Sequence, residues 1–210
     1  MLPSLLRLAA VALLSFVLAG CTSSASPRNS VMAGAPVTSA GSLMQPAAYA
    51  PSATQAKPYF ISFRARNALS YGHTFVVFGK LDASGKVPYD STGTLVPSMT
   101  EVAGLHPAST SNIPYMIGHI LPVPSETGAS DGDIEKRYLL AEWTLPLTAA
   151  QYNEVVAYIH DLQARSPVWN AVTYNCSSFV GDIARHMGFK TPSPLHLPEQ
   201  YITDLREMNT

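Results

Sequence analysis

Cysteine is scarce in this chain of 210 residues, which contains only Cys21 and Cys176. Two cysteines form at most one bridge, so a disulfide framework is excluded. A cysteine without a partner is an intermolecular bridge, a buried inert side chain or a reactive group. The position of each cysteine along the chain therefore decides how it is interpreted.

Charged residues are also few, at 13% of the chain, and the formal net charge is −1. The sequence has no cluster of lysine and arginine that would neutralise a phosphate backbone, so we expect no nucleic-acid partner. The apolar run from Leu8 to Leu18 is too short to span a bilayer comfortably.

The N terminus has the features of a secretory signal. Arg7 gives it a basic start, the apolar run follows, and Leu18-Ala19-Gly20-Cys21 resembles a bacterial lipobox. The resemblance implies cleavage before Cys21 and attachment of diacylglycerol to its sulfur; an ordinary signal peptide is the alternative. We predict a signal peptide over residues 1–20 and a lipid anchor in a bacterial membrane, the outer membrane by preference, facing the periplasm. Lipidation of Cys21 leaves Cys176 without a disulfide partner.

The segment after Cys21 is rich in Ser, Ala, Pro, Thr and Gly, and Arg28 is its only charge as far as Ala56. Apolar residues recur in it at neither the strand nor the helix period. We predict a disordered tether over residues 21–57, because such a segment cannot bury enough surface to offset its ordering entropy. A single folded domain is expected over residues 58–210.

The domain begins with sequences typical of β-strands and ends with sequences typical of helices. β-prone runs, rich in branched and aromatic residues, predict strands at 59–63, 72–79, 115–121 and 138–145, with a hairpin return at 87–90 and loops over 91–114 and 125–133. Thr148 and Gln151 form a capping box that opens a helix ending before Pro167. A last helix is expected from about Glu199 to Glu207. The fold class predicted is therefore α+β.

Cys176 opens another predicted helix, whose apolar face includes Phe179, Val180 and Ile183 and which Gly188 ends. At a helix N-terminus, unpaired N–H groups and the positive end of the macrodipole favour the thiolate over the thiol. A cysteine nucleophile also requires a base and a group that orients the base.

Six histidines are available as the base. His186 lies ten residues along the same helix, roughly 15 Å from Cys176 at the helical rise, and is excluded. Three of the other histidines, His106, His160 and His196, are expected to lie at the surface. His73 and His119 fall in predicted strands, and His73 is the preferred base. The acidic residues at 131–135 lack the register of a calcium loop and are expected to form a solvated loop.

Two motifs carry a resemblance to a known family. The sequence from Tyr174 to Val180 resembles the nucleophile helix of the NlpC/P60 cysteine peptidases, and the sequence from Gly72 to Gly79 resembles their histidine strand. The histidine strand precedes the cysteine helix, which is the order of circularly permuted relatives such as the YiiX-like and lecithin:retinol acyltransferase proteins. The resemblance implies a permuted papain-like fold, with a small antiparallel sheet on which the nucleophile helix packs.

The resemblance also implies catalytic roles. Cys176 attacks a carbonyl as thiolate, and His73 acts as base and then as acid. Backbone N–H groups around Cys176, flanked by Asn175 and Ser177, hold the oxyanion. For the third, orienting position His119 is favoured, and the alternatives are Asp90 and Thr94. Two positions depart from the family pattern, because Asn175 stands in place of Asp and Ser178 in place of Gly.

These observations lead us to expect a cysteine hydrolase or amidase of the cell envelope that acts on amide bonds in peptidoglycan stem peptides. One alternative is thiol-dependent acyl transfer or ester hydrolysis on lipids. Another is a catalytically silent lipoprotein that binds envelope components. No cofactor is expected, and a zinc site built from Cys176, His73 and His119 is disfavoured because no short metal-ligand spacing is present.

Overall fold

A computed structural model of the chain describes residues 55–68 and 71–210. The strands in chain order are β1 (Tyr59–Arg66), β2 (His73–Lys80), β3 (Thr100–Ala103), β4 (His106–Pro107), β5 (Val123–Glu126), β6 (Leu139–Leu147) and β7 (Val168–Trp169). The helices are α1 (Asn112–Ile117), α2 (Ala149–Ala164), α3 (Cys176–His186) and α4 (Pro198–Glu207).

The centre of the fold is a four-stranded antiparallel sheet in the order β3-β2-β1-β6. Alternate residues of β1 and β2 face opposite sides of this sheet, and both sides are covered. Ile61, Phe63 and Phe78 face the main core, which contains the buried apolar residues of α2, α3 and α4. Phe60 and Phe75 face a smaller core beneath the 81–99 segment. This explains why nearly every residue of the two central strands is buried.

The three predicted C-terminal helices are confirmed. Thr148 and Gln151 make both hydrogen bonds of the capping box at the start of α2. The apolar stripe of α3 is fully buried, so this helix lies against the sheet with its N-terminus at Cys176. α4 begins at Pro198, whose missing N–H costs nothing in a first helical turn.

The segment between β2 and β6 differs from the prediction in two places. The expected strand at 115–121 is wrong: Ser111 caps a short helix there, and Pro114 fits the first turn of α1. The expected hairpin return at 87–90 is also wrong, because β3 pairs with β2 instead. β4, which lies in the predicted loop at 91–114, pairs with β5, and β5 pairs in turn with β7 to complete a second small sheet.

The predicted α+β class is confirmed: the described residues form four helices and two small antiparallel sheets. The signal peptide at 1–20, Cys21 and the tether as far as residue 54 lie outside the described residues. Within the described part of the chain, no helix has the length and apolar character needed to cross a membrane.

The capping box predicts the cost of removing its hydroxyl. Thr148→Ala leaves the N–H of Gln151 without the oxygen that it now reaches at 3.3 Å. We expect a loss of about 1 kcal/mol in the free energy of unfolding. Urea denaturation of this variant and of Thr210→Ala, a control at the exposed C terminus, measures the difference. An equal loss in both variants would contradict the assignment.

Candidate active site

Cys176 is the first residue of α3, and its position is fixed by the helix cap before it. The side chain of Asn175 accepts a hydrogen bond from the N–H of Ser178 at 3.0 Å, and the Ser178 hydroxyl accepts one from the N–H of Asn175 at 3.3 Å. The amide of Asn175 also donates to the carbonyls of Ala171 and Pro194, at 2.9 and 3.0 Å. Asn175 therefore ties the start of the helix to the loops on either side of it.

The cap leaves a pair of backbone donors next to the thiol. The N–H of Ser178 is used by the cap, and that of Phe179 bonds the carbonyl of Asn175. Among the hydrogen bonds of the described residues, the N–H groups of Cys176 and Ser177 therefore stay available for a ligand. They point out of a helix N-terminus, where a developing negative charge is stabilised.

His73 is the first residue of β2, directly after the turn from β1. Gly72 makes that turn possible: its φ is +91°, and a Cβ there would lie 2.9 Å from the carbonyl oxygen of Arg66. His73 is buried and hydrogen-bonds the thiol of Cys176. Nε2 of His73 has no hydrogen-bond partner, so the bond to Cys176 is assigned to Nδ1.

The group that lies against the other side of His73 is the carboxylate of Asp133. Oδ2 of Asp133 is 3.7 Å from Nε2 of His73. The carboxylate is buried and accepts hydrogen bonds from the N–H and the hydroxyl of Ser130, at 2.7 and 3.0 Å. Its other oxygen is paired with Nε of Arg66. Cys176, His73 and Asp133 therefore form a thiol–imidazole–carboxylate series.

The sheet itself brings Arg66 and Asp133 to the histidine. Arg66 ends β1 and is the direct cross-strand partner of His73, so their side chains leave the same face of the sheet. The Asp133 loop is held in place by a bridge between Thr94 and Glu135 and by the N–H of Leu95 bonding the carbonyl of Ile134 at 2.9 Å. A rigid strand and a pinned loop thus fix the carboxylate.

These contacts lower the pKa of Cys176 and raise that of His73, which favours an ion pair between thiolate and imidazolium. Burial by itself raises the pKa of the Cys176 thiol, but the hydrogen bond and charge of His73 and hydrogen bonds from Thr74 lower it to about 7. Burial by itself lowers the pKa of His73, but the Asp133 carboxylate and the bond to Cys176 raise it above its ordinary value. Thiolate and imidazolium therefore stabilise each other.

Thr74 is a second donor to the sulfur, through its backbone N–H and its hydroxyl. Its hydroxyl oxygen is 3.2 Å from the hydroxyl of Ser177. When Thr74 donates to the thiolate, its oxygen accepts from Ser177. Ser177 thus supports the thiolate through Thr74, in addition to the backbone N–H that it contributes to the helix start.

The backbone and one further histidine enclose His73. A Cβ on Gly104 would lie 2.8 Å from Nε2 of His73, so glycine is required for this close approach. The ring of His106 lies edge-on to that of His73 with centroids 6.1 Å apart, and its Nε2 is buried. His106, which was expected at the surface, is therefore half-buried, and burial lowers its pKa.

The residues expected at the orienting position lie elsewhere. Nδ1 of His119 donates to the carbonyl of Tyr115 at 2.9 Å, and its ring packs edge-on against those of Tyr115 and Trp169. Asp90 and Thr94 belong to an exposed turn, in which the Asp90 carboxylate accepts from the N–H of Thr94 at 3.0 Å. The place beside His73 that was assigned to His119 is taken by Asp133.

Sequence reasoning therefore missed Asp133, which was placed in a solvated loop. Asp131 is exposed as expected, but Asp133 is only 2% exposed. One signal was present: Arg66 lies at the end of an otherwise buried strand, and a buried arginine requires an acidic partner. The sequence does not indicate which of the fourteen acidic residues supplies it.

The described residues contain no group of three or more His, Cys, Asp and Glu side chains placed to hold a metal ion. Searches against models of protein families, curated proteins and solved structures find no match to the chain.

The lowered pKa of Cys176 predicts its reactivity. In the chain from residue 21 with Cys21→Ala, thiolate accumulates as the pH rises through about 7, so the alkylation rate with iodoacetamide should reach half its maximum there. His73→Ala removes the imidazolium and should move this midpoint upward, toward the ordinary value for cysteine. Stopped-flow alkylation across pH measures both midpoints. The same midpoint in folded and urea-denatured protein would contradict an activated thiol.

The close approach of Gly104 predicts a second effect. Gly104→Ala should push the His73 ring away from its two partners and lower the alkylation rate at pH 7 by about tenfold or more. Gly128→Ala is the matched control, because a Cβ at that position meets no atom within 4 Å. Equal rates in the two variants would show that the ring has room to move.

Proposed function

We propose that this protein is a cysteine hydrolase in which Cys176 is the nucleophile, His73 the acid–base residue and Asp133 the residue that orients His73. The observation that carries the proposal is the pairing of a thiol at a helix N-terminus with a buried histidine backed by a buried carboxylate. A structural cysteine needs neither a base nor a lowered pKa. The arrangement supports acyl transfer chemistry.

The proposed reaction proceeds through an acyl-enzyme. The Cys176 sulfur attacks the substrate carbonyl carbon, and the resulting oxyanion accepts hydrogen bonds from the N–H groups of Cys176 and Ser177. The bond to the leaving group breaks as His73 gives it a proton, leaving a thioester. His73 then takes a proton from water as the water attacks the thioester carbon. The C–S bond breaks, the carboxylic acid leaves, and thiolate and imidazolium are restored.

Asp133 acts through His73. Its carboxylate is fixed in position by Arg66 and Ser130, so its negative charge lies on the Nε2 side of the ring. That charge stabilises the imidazolium and keeps Nδ1 directed at the sulfur, as in other triads. The proposed fold is the permuted papain-like one, with the Asp133 loop supplying the orienting group.

For the substrate we propose an amide bond of peptidoglycan stem peptides. The lipobox at Cys21 and the segment after it support a place in the bacterial envelope, anchored by lipid and facing the periplasm. Peptidoglycan is the abundant amide polymer beside such an anchor. A thiol nucleophile with an acid that protonates the leaving amine suits amide cleavage.

A second candidate is hydrolysis or transfer of lipid acyl esters. The surroundings of Cys176 favour it, because exposed apolar side chains lie on the segments next to the site, including Tyr71, Val172 and Leu197. These segments carry no Asp, Glu, Lys or Arg to bind the charged groups of a stem peptide. The two candidates share the nucleophile and differ in the acyl group.

Hydrolysis assays test the proposal directly. The chain from residue 21 with Cys21→Ala is incubated with muropeptides and with phospholipids, and the products are identified by mass spectrometry. Cys176→Ser should abolish all product. Asp133→Asn should lower kcat by about 10² to 10⁴, because the histidine loses its orienting charge, while His119→Gln should leave kcat unchanged.

Asp133→Asn and His119→Gln together distinguish the orienting residue assigned from the structure, Asp133, from the one expected from the sequence, His119. A large loss with His119→Gln and none with Asp133→Asn would contradict the role given to Asp133. Product formation that survives Cys176→Ser would sink the hydrolase proposal. Circular dichroism of each variant verifies that a loss of activity is not a loss of fold.

A further inference from the structure

Exposed apolar side chains are concentrated on one part of the structure. Of the fourteen large apolar side chains that the described residues expose, ten lie on four segments: Tyr71, residues 113–121, residues 168–172 and residues 195–197. We call these segments the neutral face. Single exposed apolar residues are ordinary, but a concentration of this kind marks a surface that another phase or molecule covers.

Helix α1 is the clearest case within the neutral face. None of its residues is buried, and it has no acidic residue in its first turn and no basic residue in its last. Met116 is 69% exposed, and Ile120 in the turn after the helix is 82% exposed. Tyr115 anchors the helix by stacking on the buried ring of Trp169, with centroids 5.4 Å apart, while the other large apolar side chains of the helix stay exposed. A helix of six residues has little stability of its own and normally depends on burying an apolar face.

Contacts link three of the four segments to one another. The carbonyl of Gly118 accepts hydrogen bonds from Asn170 and from the N–H of Ala171, at 2.8 and 3.0 Å. The ring of Tyr71 lies 6.2 Å from that of His119.

The same face reaches the helix that carries the thiol. Asn175, next to Cys176, holds the carbonyl of Pro194. Pro198 lies against Gly72, because a Cβ at Gly72 would meet its ring at 3.4 Å. The neutral face therefore adjoins the start of α3, and we call this side of Cys176 the mouth of the site.

Charge is missing from this face over long stretches of sequence. Residues 67–79, 102–125, 166–181 and 191–198 contain no Asp, Glu, Lys or Arg. The carboxylate of Asp204 reaches the edge of the face at His196, 2.9 Å from its Nδ1. Tyr71, 63% exposed, adds an aromatic ring of a kind enriched where hydrocarbon meets lipid headgroups. A protein partner usually meets a surface enriched in arginine with a polar rim, whereas hydrocarbon requires a surface free of charge.

We propose that the neutral face docks on a lipid bilayer and that α1 and the turn after it enter the headgroup region. This contact is additional to the lipid proposed at Cys21 and independent of it. It carries the mouth of the Cys176 site to the membrane surface, where acyl chains or membrane-proximal envelope polymers are reached.

The position of the N-terminal attachment is compatible with this orientation. β1 begins at Tyr59 and ends at Arg66 beside the site, so the chain enters at the far end of the strand, about 25 Å from the mouth. Cys21 precedes the first described residue, Gln55, by 34 positions (55 − 21). A chain of that length spans up to about 110 Å when extended, which covers this distance several times over.

A flotation assay with vesicles tests the proposal. The chain from residue 21 with Cys21→Ala removes the lipid anchor, and vesicles of phosphatidylcholine alone are compared with vesicles that also contain phosphatidylglycerol. Binding to both, unchanged in 1 M NaCl, is expected because the face is neutral. The double variant Met116→Ser, Ile120→Ser should bind at least about tenfold more weakly, since two exposed apolar side chains are lost.

The matched control is Leu140→Ser with Met208→Ser, which removes two apolar side chains exposed by 47% and 45% away from the neutral face. It should bind as the parent does, and so should Cys176→Ala, which separates docking from catalysis. Absence of binding by the parent, binding that salt abolishes, or equal weakening by both double variants would overturn the proposal. Self-association without vesicle binding, removed by Met116→Ser with Ile120→Ser, would assign the face to a second copy of the chain instead.

Discussion

The ion pair between Arg66 and Asp133 is the interaction on which the site depends. Both groups are nearly excluded from water, so each requires the other, and removing either leaves a buried charge at a cost of about 3–5 kcal/mol. The pair locks the end of β1 to the loop before β6, and the carboxylate then faces His73. The carboxylate of Asp133 thus both holds the fold together, through Arg66, and supplies the charge beside His73 in the proposed chemistry.

The fold was predictable where the signal was local. The central strands, the capping box at Thr148 and the helix that opens at Cys176 follow from periodicity and from cap residues, and these features place the thiol correctly. The segment from 87 to 121 was not predictable in this way, because Pro114 and Gly118 suit either a strand boundary or a short helix. Its conformation depends on contacts with Trp169 and Asn170, more than fifty positions later.

The site residues, too, were predictable only where the signal was local. Cys176 and His73 were found from motifs that are contiguous in sequence, whereas Asp133 is joined to His73 only through the pairing of β1 and β2 and through the pinned loop. The two departures from the NlpC/P60 pattern also acquire a physical account. Asn175 and Ser178 form a reciprocal cap, so the pair preserves the helix start that an acidic residue at the cap position would also provide.

The groups that activate the thiol lie far apart in the chain, at positions 66, 73, 133 and 176. Their assembly requires the sheet, the Asp133 loop and α3 to be in place together, and contacts of such long sequence separation form late in folding. The unfolded chain therefore carries a cysteine of ordinary, weak reactivity. The thiolate is generated only after the chain has folded, which protects the sulfur from premature oxidation and disulfide exchange.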